Sequence, residues 1–266
     1  MEKKDHNMDN QNEINSQIDT PNVNELKSYI VPDGKLFLTS VDIPDRKTIE
    51  FIQIPDTVTQ ILDCTFRGCI SLKKIVLPKS LEEIRHFAFT DCISLESVQM
   101  PDDAKITFIG YSAFLGCHSL KSIKIPDSVT HIGDYAFSDC TSLDSIQMSQ
   151  NVEFIGMGAF ENCHSLKSIE IPNLVTKIEE NTFKGCFSLN NIIISESLKI
   201  IKDCAFNECI SLERIEIPNS VTEIGAAAFR GCSDLNRIEL SKSLVSTENF
   251  SHLDLLTDCK LAPQNR

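Results

Sequence analysis

Apolar residues return at fixed places along most of the chain, in a unit of 23 residues. The stretch from Cys117 to Cys140 reads CHSLKSIKIPDSVTHIGDYAFSDC, which combines an L-x-x-I-x-I run with a later V-x-x-I and A-F-x-x-C. Cysteines at this spacing recur as far as Cys232, and only the step from Cys92 to Cys117 is longer, at 25 residues. One such unit cannot bury its own apolar face, so the period predicts a solenoid in which each unit stacks on the next.

Each part of the unit predicts its own element. The L-x-x-I-x-I run is typical of a short strand with apolar side chains inside the solenoid and the second, third and fifth positions in solvent. A proline follows most of these strands and closes them, because it has no N–H to donate. The I-G-x-x-A-F-x-x-C segment is too short for an independent helix and predicts a helical or 3-10 turn. The stacked units should therefore present one parallel β-sheet face, with short turns on the opposite side.

Stacking also places like residues above one another, about 4.8 Å apart. The phenylalanines should form an internal spine of offset rings. The cysteines should form a buried row of free thiols, because parallel side chains oppose disulfide formation. A row of serines before the strands should satisfy backbone groups in the turns. The spine would contain Phe66, Phe89, Phe114, Phe137, Phe160, Phe183, Phe206 and Phe229.

The full pattern, C-x-S-L-x-x-I-x-I-P-x-S-V-x-x-I-G-x-x-A-F-x-x-C, closely resembles the BspA-like class of leucine-rich repeats. The resemblance covers roughly residues 30–255 and implies a right-handed leucine-rich-repeat coil. It also implies an extended scaffold for protein recognition, since many members are found on bacterial or protist surfaces and some are described as adhesins. The Asn that usually follows the strand is mostly Ser in this chain, at Ser80, Ser128, Ser197, Ser220 and Ser243.

The phase of the repeat divides the chain into four parts. Residues 1–27 are polar and aperiodic and are predicted to be disordered. Residues 28–48 fit the template poorly and predict an atypical N-terminal capping repeat, followed by BspA-like repeats over 49–243 and a C-terminal cap and tail over 244–266. The two extra residues of the long unit lie between Met100 and Phe108 and predict a small bulge after that strand.

Charge and hydropathy restrict the partners. The net charge of −13 argues against nucleic acid and anionic membranes. No stretch approaches the roughly 18 apolar residues of a membrane-spanning helix, so no membrane insertion is expected. The N-terminus lacks the apolar core of a signal peptide, which predicts a cytoplasmic location and leaves a cell-surface location by an unrecognised route as the alternative. We expect a monomer.

The sequence contains none of the motifs that would predict an enzyme. Phosphate-loop, HExxH and nucleophile-elbow patterns are missing, so we expect no enzymatic activity, no cofactor and no metal. Cys64 and Cys204 precede Cys69 and Cys209 by five residues, a weak metal spacing that leaves their role open. Cys259 lies beyond the last clear repeat and could be an exposed thiol, which is the basis of a thiol-enzyme alternative.

The leading hypothesis is an intracellular scaffold that binds another protein through the outward face of the sheet. Lysines concentrate between Lys73 and Lys167 and acids gather from Glu213 onward, a dipolar pattern that suits a partner of matching charge. Two alternatives stay open: plain solvated strand residues, and a surface or secreted adhesin for host or extracellular-matrix protein. The candidate partner-binding residues are Lys73, Lys74, Glu96, Lys121, Lys124, Asp144, Lys167, Glu170, Glu213, Arg214, Glu216 and Arg237.

Overall fold

A computed structural model describes residues 27–240 and 260–263 of the chain, and over this part the repeats form a parallel β-solenoid. Each repeat contributes a long strand and a short strand. Neighbouring strands of each kind pair in parallel along the solenoid axis, the long strands in four successive ladders and the short strands in two. His131, for example, is in register with Phe108 of the preceding repeat and with Phe154 of the next. The L-x-x-I-x-I run supplies the long strand, as predicted, whereas the short strand formed by V-x-x-I was not expected. The solenoid therefore has a long-strand face and a short-strand face.

The bounds of the strands follow the repeat. The long strands are Ser28–Ile30, Phe51–Gln53, Lys74–Val76, Ser97–Gln99, Ser122–Lys124, Ser145–Gln147, Ser168–Glu170, Asn191–Ile193, Arg214–Glu216, Arg237–Leu240 and Lys260–Pro263. The short strands are Phe37–Leu38, Gln60–Ile61, Glu83–Ile84, Phe108–Ile109, His131–Ile132, Phe154–Ile155, Lys177–Ile178, Ile200–Ile201 and Glu223–Ile224. The strand Lys260–Pro263 falls in the segment expected to be a C-terminal cap, and it extends the long-strand sheet by one rung.

The core is the predicted phenylalanine spine, flanked by the aliphatic residues of both kinds of strand. Successive rings from Phe66 to Phe229 stack with centroids 4.9–5.6 Å apart and planes within 11° of parallel. Beside the spine, the repeat thiols from Cys92 to Cys232 each donate to the carbonyl of the phenylalanine 26 or 28 residues earlier, as from Cys140 to Phe114 at 3.3 Å. The cysteines are thus hydrogen-bond donors as well as small apolar side chains, and they are free thiols in the described part of the chain.

The A-F-x-x-C segments differ from the helical or 3-10 turns expected for them. Their N–H groups alternate between partners: Ala136 donates to Gly133 in the same turn (3.2 Å), and Phe137 donates to Ala159 in the next repeat (2.8 Å). Tyr135 and Asp139 have positive φ values of 55° and 58°, and the equivalent residues of the other repeats are also left-handed. Two left-handed residues in each segment prevent a continuous helix. The 3-10 helix that does occur in the described chain is Ser40–Asp42.

Serine hydroxyls satisfy backbone carbonyls of the preceding repeat, as the sequence predicts. Ser71 donates to the Lys47 carbonyl at 2.6 Å and Ser119 donates to that of Ile93 at 2.7 Å. Ser128, one of the serines that replace the usual asparagine, donates to a carbonyl in the same way. The hydroxyls of Ser80 and Ser128 therefore make the backbone contact at this position, whereas the buried hydroxyl of Ser220 has no hydrogen-bond partner within the described residues.

Arg46 terminates the ladder of turns at its N-terminal end. In the interior, the carbonyls of Ala88 and Thr90 accept N–H groups from the preceding repeat. The first turn has no such predecessor, and its equivalent carbonyls, those of Thr65 and Arg67, accept instead from Nη2 of Arg46 at 3.0 and 2.8 Å. One guanidinium thus replaces the donors that a preceding repeat would supply.

Candidate protein-binding face

The long-strand face presents a regular array of outward side chains. In the strand Ser122–Lys124, the central isoleucine is buried while Ser122 is half-buried and Lys124 is exposed. The other long strands repeat this arrangement because the pleat alternates from residue to residue. All twelve candidate residues lie on this face, and each is exposed or half-buried.

The second position of the long strands carries an alternating charge ladder, which we define as Glu50, Lys73, Glu96, Lys121, Asp144 and Lys167. Each lysine pairs with the acid of the preceding repeat: Nζ–O distances are 2.9 Å for Lys73–Glu50, 3.4 Å for Lys121–Glu96 and 3.8 Å for Lys167–Asp144. The hydrogen bond from Lys73 lowers the pKa of the Glu50 carboxyl.

Charges at the fifth position are also engaged within the chain in the first two-thirds of the face. Lys124 pairs with Asp102, and Glu170 accepts from the amide of Gln150 at 3.1 Å. Exposed pairs of this kind contribute only about 0–1 kcal/mol each to stability. They nevertheless neutralise Lys73, Lys121, Lys124 and Lys167, so that among the candidate lysines of this part of the face only Lys74 has no ion-pair partner within the described residues.

The pattern changes after Lys167, where the second position becomes asparagine or an unpaired acid. We define the C-terminal face as Asn190, Asn191, Ile193, Glu213, Arg214 and Glu216. Within the part of the chain that the structure describes, Glu213, Arg214 and Glu216 are exposed and have no ion-pair partner. Ile193 lies between Glu170 and Glu216 with 54% of its surface exposed. Five of these residues line a shallow concavity of about 210 Å³.

Most of the buried thiols offer little chemistry in comparison, the exception being Cys69, whose pKa is lowered to about 7 by hydrogen bonding with Cys92 and by the nearby Arg46. Burial raises the pKa of Cys117, Cys163 and Cys209, so these ladder thiols stay protonated near neutral pH. Cys64 and Cys204 occupy the first left-handed position of their turns, with φ of 58° and 56°. Across the described ranges, no group of three or more His, Cys, Asp or Glu side chains could hold a metal ion. Cys259 lies outside the described residues.

The sequence-based interpretation missed the short-strand face. Its outward position holds Phe108, His131 and Phe154 in three successive repeats, and the ring of His86 contacts that of Phe108. Alignment of the repeats by their cysteines places the three rings in one column. That column was not read as exposed because V-x-x-I was not predicted to be a strand. No helix within residues 27–240 is long and apolar enough to cross a membrane.

Two faces of parallel strands, a buried phenylalanine spine and a variable outward row define a leucine-rich-repeat solenoid. The chain belongs to the BspA-type leucine-rich repeat family: the model for the BspA type leucine rich repeat region, which holds six copies, matches residues 44–167 and 153–262. The resemblance inferred from the sequence is therefore confirmed.

Solved structures of bacterial proteins share this fold. The leucine-rich repeat protein TpLRR of T. pallidum is 26% identical with a TM-score of 0.58, over 79% of this chain and 83% of that one. A leucine-rich repeat protein from Bacteroides ovatus is 23% identical with a TM-score of 0.51, over 92% of this chain and 94% of that one. No curated protein matches at a significant level.

Proposed function

We propose that this protein is a non-catalytic scaffold that binds another protein through the C-terminal face. The observation that carries this proposal is the change along the long-strand face from internally paired charges to exposed, unpaired ones around Ile193. Leucine-rich-repeat proteins are commonly protein-binding. Arginine is enriched at binding hot spots and an exposed isoleucine supplies apolar contact area, whereas a paired charge ladder has less to gain from a partner.

The rigidity of the solenoid favours this role. The strand that bears Ile193 pairs with Ser168–Glu170, and the strand that bears Arg214 pairs with Arg237–Leu240. These two strands do not pair with each other, but the stacked spine continues beneath both of them. A surface fixed in this way loses little conformational entropy when a partner binds. Glu213 and Glu216 add negative charge, which would attract a partner with basic groups and speed its association.

The adhesin remains a second candidate and would use the same face for a host or extracellular-matrix protein. The two proposals differ in the location of the partner and of the protein itself. Labelling of the protein on intact cells would support the adhesin, whereas recovery of the partner only from the cell interior would support the scaffold. The cytoplasmic location stays a prediction.

Affinity capture from native lysate, with the full chain immobilised, tests the proposed face. The variant Arg214→Glu/Glu216→Lys exchanges two charges on the C-terminal face without changing net charge. We expect this variant to bind the captured protein about tenfold more weakly or worse, since hot-spot contacts commonly contribute over 1 kcal/mol. Ile193→Asp should have a similar effect, because it places a further charge beside Glu170 and Glu216.

The matched control is Glu208→Lys/Arg230→Glu, which exchanges two exposed charges on the turn side. It should capture the same proteins as the wild type, and circular dichroism should show that every variant is folded. Equal capture by the C-terminal-face variants and the wild type would exclude this face. Loss of the partner with Lys121→Ala alone would point back to the charge ladder.

A further inference from the structure

The short-strand face carries an aromatic strip, defined as Phe108, His131 and Phe154. These residues occupy the outward position of three consecutive short strands in exact parallel register. Phe154 is 39% exposed, His131 is exposed and Phe108 is half-buried. The rings of His131 and Phe154 lie 6.1 Å apart. Elsewhere in the column the residues are Gln60, Glu83, Lys177 and Glu223 together with the apolar Phe37 and Ile200, and among the nine short strands only the strip places three rings on consecutive rungs.

The strip has opposite charges at its two ends. Along the same outward column, Glu83 precedes Phe108 and Lys177 follows Phe154. Over residues 27–240, neither Glu83 nor Lys177 makes an ion pair. Read along the solenoid axis, the column is therefore acid, Phe, His, Phe, base. If an identical column is laid against it in the reverse direction, the acid faces the base, each phenylalanine faces a phenylalanine and histidine faces histidine.

We propose that the strip binds a second copy of this chain, with the two solenoids antiparallel and a two-fold axis running along the strands through His131. That arrangement places Phe108 against Phe154 of the other copy and Glu83 against Lys177 of the other copy. The same contacts occur twice, as two-fold symmetry requires. The alternative two-fold arrangement, with parallel solenoids, would place Glu83 on Glu83 and Lys177 on Lys177. Repulsion between these like charges selects the antiparallel dimer.

The dimer is expected to be weak. Five rungs from Glu83 to Lys177 span only about 19 Å at 4.8 Å per rung, and a standard stable interface buries about 800 Å² on each partner. A dimer differs from the monomer that we expected from the sequence. That expectation took account only of association through the ends of the solenoid. Because the strip lies on the short-strand face, dimerisation leaves the C-terminal face open on both copies. A partner with two sites would then bind with increased avidity.

Sedimentation velocity of the full chain from about 10 μM to about 1 mM covers the dissociation constants expected of so small an interface. The wild type should shift from monomer to dimer over this range. Phe154→Ser and Lys177→Glu should each raise the dissociation constant about tenfold or more. Lys47→Glu makes the same charge change at an exposed site away from the strip and should leave the constant unchanged.

The charge-exchange variant Glu83→Lys/Lys177→Glu tests the orientation. Since each copy then presents base at one end and acid at the other, the antiparallel dimer should regain wild-type affinity. The proposal would be overturned if the exchange variant did not recover the wild-type dissociation constant. It would also be overturned if Phe154→Ser and Lys177→Glu left the dissociation constant of the dimer unchanged. A monomer at every concentration would also overturn it and would assign the strip to a different protein. None of these variants alters the C-terminal face, so the capture experiment is independent of the outcome.

Discussion

Replacement of Phe137 by alanine should lower the free energy of unfolding by about 3–5 kcal/mol, the usual cost of removing a fully buried phenylalanine. Phe137 is completely buried and stacks on Phe114 at 5.2 Å and on Phe160 at 5.6 Å. The substitution removes both ring contacts and leaves a cavity in the single row of rings at the centre of the core. Urea unfolding followed by circular dichroism measures the loss.

Phe37→Ala is the matched control, because Phe37 is 55% exposed and lies outside the spine. It should cost no more than about 1 kcal/mol, as expected for a partly exposed site. If Phe137→Ala lowered the free energy of unfolding by less than about 1 kcal/mol, the phenylalanine rings would not be tightly packed along the whole spine, which would contradict this account. Phe229→Ala should fall between the two, since Phe229 is the last ring of the described spine and stacks on one side only.

Replacement of Arg46 by alanine should destabilise the N-terminal repeats by about 2–4 kcal/mol, because it leaves three carbonyls without their charged donor. These are the carbonyls of Cys64, Thr65 and Arg67, which are at the start of the ladder of turns. Hydrogen exchange followed residue by residue should show faster exchange in the first repeats, near residues 49–69. Exchange near residues 140–230 should change little, because each repeat contacts mainly its neighbours.

Arg46→Lys and Arg67→Ala are the informative comparisons. Lysine keeps the positive charge but lacks the planar fork, so it should recover only part of the lost protection. Arg67 is exposed and contributes its backbone carbonyl to the contact, so its side chain should be dispensable. Uniform acceleration of exchange along the whole solenoid in Arg46→Ala would contradict the assignment of Arg46 as a terminal cap.

The sequence predicts the interior of this protein well, because inward positions repeat while outward positions vary. Phe137, Cys140 and the apolar strand residues were assigned to the core from their period alone, and they are buried. The short strands were missed because two residues are too few to show alternation. The A-F-x-x-C segments were expected to form helical or 3-10 turns packed by residues such as Phe137 and Cys140, whereas two residues of each segment are left-handed.

The candidate face was harder to derive. The outward positions were correctly placed, but pairing within the charge ladder depends on which residues become neighbours across repeats. Glu50 and Lys73 are 23 residues apart in sequence and 2.9 Å apart in the structure. Alternating sign at one repeat position was a signal that could have revealed this pairing. The unpaired state of Arg214 and Glu216 became visible only once those pairs were known.

The measurement that tests the binding account most directly is covalent labelling of carboxylates in the complex with the captured protein. Exposed carboxylates lie on different sides of the solenoid, with Glu213 and Glu216 on the C-terminal face and Glu208 on the turn side. We expect the partner to protect Glu213 and Glu216 from labelling and to leave Glu208 as reactive as in the free protein. Protection of Glu208, with Glu213 and Glu216 unchanged, would contradict the account and place the partner on the turns.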